Sequence, residues 1–342
     1  MQRHAPPDKV SDLSREVNSP IIFSEPWWRE ITTEQTRSRH LEVAINSHVV
    51  GRMTFELRNR GGLLTTGAQS PLTHALDLIV DEGNSDNRSR LERQYWIAQS
   101  LIKQLPRQHS YEFTLHQNTG AGVIAAFRDA GFALSFQENF EIPLSYDSQE
   151  EGERFEDETG EAPVGVAGRV WEEVSGKLRT KIRKASRRFR IDMDTSPSKF
   201  FDFYETNLRE KRTRCYFELD TGRRLLEKCC SLGQLSIMTA IDKATGITHS
   251  SSACVFDKKR YYYFLQTNIV DADHNALRLL IWNQIKKSLR GNRVWDFDGV
   301  PNANENIKSK YQEFCPVAAF RPVLQRQTFL LRGYSALRSL VR

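Results

Sequence analysis

Two aspartates stand two residues apart in the stretch Trp295-Asp296-Phe297-Asp298-Gly299. On an extended strand, side chains at that spacing point to one side. A carboxylate pair so placed suits proton transfer, one acid orienting or deprotonating a bound group. The same stretch equally suits a strand-end turn in which Asp298 and Gly299 cap the backbone. Upstream, Tyr261-Tyr262-Tyr263 offers phenolic hydroxyls. Packing within a strand is the ordinary role of such residues, and Tyr262 is read that way; Tyr263 stays a candidate for hydrogen bonding or proton donation. His249 reads as a packed strand histidine ahead of a base. Eight cations, Lys177, Arg179, Lys181, Arg183, Lys184, Arg187, Arg188 and Arg190, surround an apolar stripe. Most belong on a solvated face. Arg183, beside Ile182 at the edge of the stripe, is expected to face inward and hold an anionic substrate group.

Other chemistries are excluded by what is missing. The five cysteines, Cys215, Cys229, Cys230, Cys254 and Cys315, form no C-x-x-C, and two are adjacent. Neither a disulfide framework nor a zinc site fits, so reduced thiols in a cytoplasmic protein without a metal are expected. The formal charge of +6 favours anionic partners, such as nucleotide cofactors, tRNA or acidic membrane surfaces, without choosing among them. Apolar runs fall far short of the ~20 residues a helical span needs, leaving peripheral membrane contact as the form open to it. Residues 1–20 are polar, with no secretory apolar core, and read as a flexible arm.

These residues need elements to hold them. A chain of 342 residues with 39% hydrophobic content suits two domains. Ser24 and Pro26 before Trp27-Trp28 predict a helix start. Alternation at Leu41, Val43 and Ile45, then from Val49 to Leu57, then from Leu63, predicts an antiparallel meander with a turn at Asn59 to Gly62. A helix capped by Ser85 carries Leu91, Tyr95, Ala98, Leu101, Ile102 and Leu105 on one face. A strand at 111–116, a short helix to Gly131 and a strand at 139–144 follow. Asp147 to Glu161 then holds eight acidic residues and one Arg, so 147–165 reads as a linker between domains 21–146 and 166–328. In the second half, Trp171, Val174, Leu178, Ile182, Ala185 and Phe189 predict one helix over 170–190. Helices near 200–208 and 223–230 precede a second meander at 235–241, 247–256 and 261–265. A helix at 276–289, a strand at 294–297, a helix at 307–314, a strand at 317–324 and a basic C-terminal helix at 329–342 complete it. The class is α/β, an α+β sheet with flanking helices, and the order meander, helix, strand, helix, strand occurs twice.

That order resembles the GNAT acyltransferase fold, and two copies in one chain resemble the FemAB-like branch. Three patterns carry the resemblance: the basic helix from Ser175 through Ala185, Tyr261-Tyr262-Tyr263 followed by the helix 276–289, and the Asp296-Phe297-Asp298-Gly299 strand end, similar to the family's DF-x-G. No Gly-rich pyrophosphate loop precedes Ala276. The family's lysine before its terminal Phe-Gly falls on Tyr311, with Lys310 beside it.

The resemblance implies an enzyme, an acyl-CoA-dependent N-acyltransferase acting on an amine, such as an amino sugar or another envelope or polysaccharide precursor. Asp296, Asp298 and Tyr263 would be catalytic. Gln266, Thr267, His274 and Asn275 would bind the acyl-CoA donor, with the N–H groups near 274–276 on its phosphates. Arg183, Lys310 and Tyr311 would bind substrate. The alternatives are a FemAB-type aminoacyl-tRNA-dependent peptidoglycan aminoacyltransferase, the one case in which nucleic acid is a partner, and a non-catalytic tandem binding protein. No heptad arm for tRNA occurs.

Overall fold

The computed structural model describes residues 21–33, 37–60, 64–83, 86–144, 166–298 and 305–328. The arm at 1–20, the linker at 147–165, the helix at 329–342 and Gly299 lie outside the described residues. In chain order the elements are α1 (Pro26–Thr32), β1 (Ser38–Ile45), β2 (His48–Arg60), β3 (Leu64–Ala68), β4 (Asp77–Val80), α2 (Asn87–Lys103), β5 (Ser110–Thr114), α3 (Ala121–Asp129), β6 (Ala133–Ile142), α4 (Val166–Glu173), α5 (Gly176–Arg188), β7 (Phe189–Asp192), α6 (Pro197–Glu210), α7 (Leu219–Ser231), β8 (Leu235–Asp242), β9 (Thr248–Phe256), β10 (Arg260–Asn268), α8 (His274–Arg290), β11 (Val294–Asp296), α9 (Glu305–Gln312) and β12 (Val317–Gln327).

The chain divides into two units, Met1–Gln137 with Phe320–Arg342, and Glu138–Ala319. In the first unit the strands run β1-β2-β3-β5-β12, and β4 pairs with β2. Its core gathers Phe55, Tyr111, Phe113, Phe127 and Phe132 with Ile97 and Leu101 of α2. Most of the aromatic rings meet edge-on or tilted, Phe127 on Phe132 at 5.0 Å and 88°, the geometry their quadrupoles favour, and Phe113 stacks on Phe132 at 22°. In the second unit the order is β6-β11-β10-β9-β8-β7. There α8 supplies Leu279, Leu280, Trp282 and Ile285 to a core shared with Leu178 and Ile182 of α5 and with Tyr261 and Trp295.

Local chemistry moved two expected boundaries. The apolar stripe over 170–190 is broken into α4, α5 and β7. Ser175 interrupts it because its hydroxyl accepts from Leu178 N–H and caps α5, and from Phe189 the chain pairs with Asp242 on β8. The cap of α2 is Asp86, whose carboxylate accepts from the N–H groups of Arg88 and Ser89 at 2.9 and 3.1 Å; Ser85 lies outside the described residues. In the first unit, the third strand of the meander is split. β2 pairs with β3 through Glu56↔Ala68 and with β4 from Thr54↔Asp77 onward, so residues 69–76 leave the sheet between the two segments.

Candidate active site

The second unit's meander ends in β10, which pairs with β9 along its length. After Tyr263↔Cys254 the register moves to Leu265↔Ala253, leaving Phe264 as a bulge. On its other side β10 runs parallel to β11, through Arg260↔Val294, Tyr261↔Trp295 and Tyr262↔Asp296. There β11 ends, and Phe297 N–H turns to Phe140 O at 3.0 Å. β10 continues to Asn268, so the two parallel strands are paired only as far as Tyr262↔Asp296, and the region beyond is the wedge between them. A bulge increases local twist and re-aims the chain at the point of parting.

A buried ion cluster holds the end of β11. Arg260 reaches Glu141 at 2.5 Å and Asp296 at 3.2 Å. Asp296 is 0% exposed and also accepts from Asn139 Nδ2 at 2.9 Å and from the backbone N–H of Asp298 at 2.7 Å. Guanidinium, amide and backbone donors together compensate a carboxylate out of water. Asp298 differs. It is half-buried, has a left-handed φ of +61°, and its charge acts on the hydroxyls of Tyr311 and Tyr216 and on the Cys254 thiol. The two aspartates therefore occupy different neighbourhoods. Asp296 sits in the ion cluster, and Asp298 sits beside the tyrosines.

Those tyrosines wall the wedge. The Tyr263 ring lies 5.7 Å from Trp295, 6.4 Å from Phe297 and 6.1 Å from Tyr311. Tyr311 stacks on Phe297 at 4.5 Å and 27°. The buried Tyr263 hydroxyl donates to Oε1 of the exposed Gln266 at 2.5 Å. Burial, then the charges of Tyr311 and Cys254, push the Tyr263 hydroxyl well up. Burial, then Asp298, pushes Tyr311 up. Both phenols stay protonated donors at neutral pH. Tyr216, between α6 and α7, is 70% exposed, yet the surrounding protein and then Asp298 push its hydroxyl up to about 12.

The structure thus brings Asp298, Tyr263, Tyr311 and Gln266 together. Thr267, two residues from the bulge's far side, is buried and accepts from Asn207 Nδ2 at 3.0 Å. His274 opens α8 and is exposed. The N–H groups of Asn275 and Ala276, expected as a phosphate cradle, turn back to Asp273, which caps α8 at 2.9 Å through its side chain and 2.9 Å through its carbonyl. Asp273 also pairs with Arg188 at 3.2 Å. Arg183 is exposed, with its guanidinium 5.8 Å over Trp171; one residue past Ile182 a helix has turned about 100°, which carries it off the stripe and corrects the expected inward orientation. Lys310 is exposed beside the buried Tyr311, and Lys308 pairs with Glu138 at 2.6 Å.

Two features escaped the sequence. The Asn139, Glu141 and Arg260 cluster is assembled from distant segments and leaves no local pattern. The second is a groove of about 480 Å³ lined by Glu205, Leu208, Arg209, Arg212, Arg214 and Cys215, among others. Its signal was present in the run from Arg209 to Arg214, where four of six residues are cationic.

The first unit repeats the wedge's frame but fills it. β3 runs parallel to β5 for three pairs, Thr66↔Ser110, Gly67↔Tyr111 and Ala68↔Glu112. Beyond them, Gln69 Oε1 accepts from Thr114 N–H at 3.0 Å, and Leu76 N–H donates to Thr114 O at 2.7 Å. Segment 69–76 occupies the edge of β5 beyond the three pairs.

No family model matches the sequence, and no curated protein matches it. Solved structures do match in fold. FemX superposes with a TM-score of 0.56 at 10% identity, over 89% of this chain and 93% of that one. L-PGS from Bacillus licheniformis gives 0.52 at 11% identity, over 88% of each chain. The C-terminal domain of a putative lysylphosphatidylglycerol synthetase from Agrobacterium fabrum gives 0.50 at 11%, over 85% of each. The chain therefore has the FemAB-like fold of two GNAT-like halves that its order of elements implied.

Proposed function

We propose that the protein is an N-acyltransferase that takes an acyl group from acyl-CoA and transfers it to an amine, such as an amino sugar or another envelope or polysaccharide precursor. The parting of β10 and β11 at Tyr262↔Asp296 carries this reading. An extended acyl chain fits between two diverging strands, where strand backbone can hydrogen-bond its carbonyl and amide. The amine nitrogen attacks the carbonyl carbon, the C–S bond breaks, and the product is an amide and a thiol. Asp298, at the mouth, accepts the proton the amine loses. The Tyr263 and Tyr311 hydroxyls, held protonated by burial, are donors for the carbonyl oxygen or the leaving sulfur. Asp296 acts indirectly, holding Asp298 through its N–H at 2.7 Å.

One observation favours a second donor. Asp273 uses the N–H groups at the start of α8, and a carboxylate there opposes a diphosphate. An aminoacyl ester on tRNA would place its phosphates elsewhere, and FemX shares the fold. The test is amine-dependent thiol release from acetyl-CoA and longer acyl-CoAs across a panel of amino sugars. Release that Asp298→Asn abolishes supports acyl-CoA. Transfer from charged tRNA with no release from any acyl-CoA replaces it with the second donor.

A further inference from the structure

Ser250, Ser251 and Ser252 follow one another on β9, the middle strand of the second unit's meander, and all three are buried. The pleat sends them to opposite faces of the sheet. Ser251 is satisfied on its face: its hydroxyl meets Thr239 Oγ1 at 2.8 Å, and Thr195 Oγ1 donates to the same atom at 2.8 Å. Ser250 and Ser252 point to the other face, in the rows of Ala240 and Met238, which share a core with Leu279 and Leu280 of α8. Both serines are 0% exposed. Neither hydroxyl has a hydrogen-bond partner among the described residues, and neither has the buried Oδ1 of Asn268. The ladder sets these side chains on one face, since β9 pairs with β10 through Ser250↔Asn268 and Ser252↔Gln266. A hydroxyl buried without a partner weighs against folding, and native interiors pair nearly all such groups. Three neighbours left open on one face mark a surface made for a bound polar group.

We propose that Ser250, Ser252 and Asn268 select an acyl group that carries an uncharged polar substituent, a hydroxyl on its third carbon, over a plain alkyl chain. The proposal rests on the acyl-transfer reading, which places the donor's carbonyl at Tyr263. Tyr263 stands in the next row, opposite Cys254, and its hydroxyl is engaged by Gln266 Oε1 at 2.5 Å. Gln266 is exposed and moves aside as the donor enters. The freed Tyr263 hydroxyl then donates to the carbonyl, and the acyl hydroxyl lies on Ser252, with Ser250 and Asn268 one row further on. Same-face rows are roughly 6.6 Å apart, and a hydroxyl two carbons past the carbonyl, with a hydrogen bond at each end, spans one of them. Serine hydroxyls both donate and accept while Asn268 Oδ1 accepts, which matches a hydroxyl. The residues in the same rows, Ala240, Met238 and Gln266, include no carboxylate, so an ammonium group there would lie uncompensated.

The test is calorimetry of the full chain with β-hydroxybutyryl-CoA and with butyryl-CoA, which differ by one hydroxyl. It is run on the wild type, on the double variant Ser250→Ala/Ser252→Ala and on Ser251→Ala, with thermal unfolding of each. The wild type is expected to bind the hydroxyacyl form at least tenfold more tightly. The double variant is expected to bind the two forms within twofold of each other. Its unfolding midpoint should not fall, because alanine there removes hydroxyls that have no partner. Ser251→Ala, which breaks the bond to Thr239, should lower the midpoint and keep the preference. Equal binding of the two donors by the wild type overturns the proposal, and that comparison decides it even where the double variant does not fold. A preference that survives in a folded double variant overturns it as well. Equal binding leaves the acyl-CoA reading in place and removes this inference alone, whereas binding of neither donor removes both.

Discussion

At the residue scale, two aspartates of one motif divide the labour. Asp298→Asn removes the proton acceptor and leaves the backbone donor in place. Turnover is expected to fall by roughly 10²- to 10⁴-fold, with the folded state retained. Steady-state rates check this, and an unchanged rate would assign the base elsewhere. Arg260→Met removes the guanidinium that pairs with the buried carboxylates of Glu141 and Asp296. The expected loss of stability is about 3–5 kcal/mol, measured by denaturant unfolding. The pair was legible in the sequence as two carboxylates at strand spacing. Their difference was not, because the partners of Asp296 come from Asn139, Glu141 and Arg260, and the left-handed turn at Asp298 is fixed by a hydrogen bond to a side chain two residues back.

At the element scale, periodicity found the meanders, the long helices and the repeated order, since each depends on alternation or on a helical stripe within one window. It failed where one residue overrides the pattern. Ser175 splits an unbroken stripe into two helices, and a strand begins at Phe189 because β8 needs a partner. The split of β3 from β4 was equally hidden, since the interruption is defined by what it meets on β5. Gly67 belongs to that parallel pair, and a Cβ there would meet the Tyr111 ring at 2.4 Å. The ring is packed against Phe55 and Phe113, so Gly67→Ala is expected to cost about 1–3 kcal/mol by overpacking. Chemical denaturation of the variant checks it. With Gln69 and Leu76 closing the edge of β5, one acyl donor per chain is expected, and native mass spectrometry of the donor complex counts it.

At the scale of the whole molecule, buried acids that stay protonated set the alkaline limit. Burial raises the Cys229 and Cys254 thiols, and it raises the hydroxyls of Tyr261, Tyr263 and Tyr311, with Tyr111 reaching about 12. Their unfolded values are about 8.5 for thiols and about 10 for phenols. The folded chain keeps protons that the unfolded chain releases, so stability is full below pH ~8.5 and falls as pH rises towards 12. Denaturation midpoints taken from pH 7 to 11 follow this, and a flat profile would contradict it. At the acid end the sign reverses. The hydrogen bond from Arg188 holds Asp242 down to about 2, so its contribution is present above the ordinary carboxylate range and is lost as pH falls towards 2.

The central claim is that an acyl donor lies along β10 where β11 parts from it. Hydrogen exchange with and without saturating acyl-CoA tests this most directly. Protection confined to the backbone from Tyr263 to Asn268 and to the loop before α8, with none added at residues 64–80, is the predicted result. Absence of protection along β10 under conditions where the donor binds, or protection centred on the first unit, would contradict it.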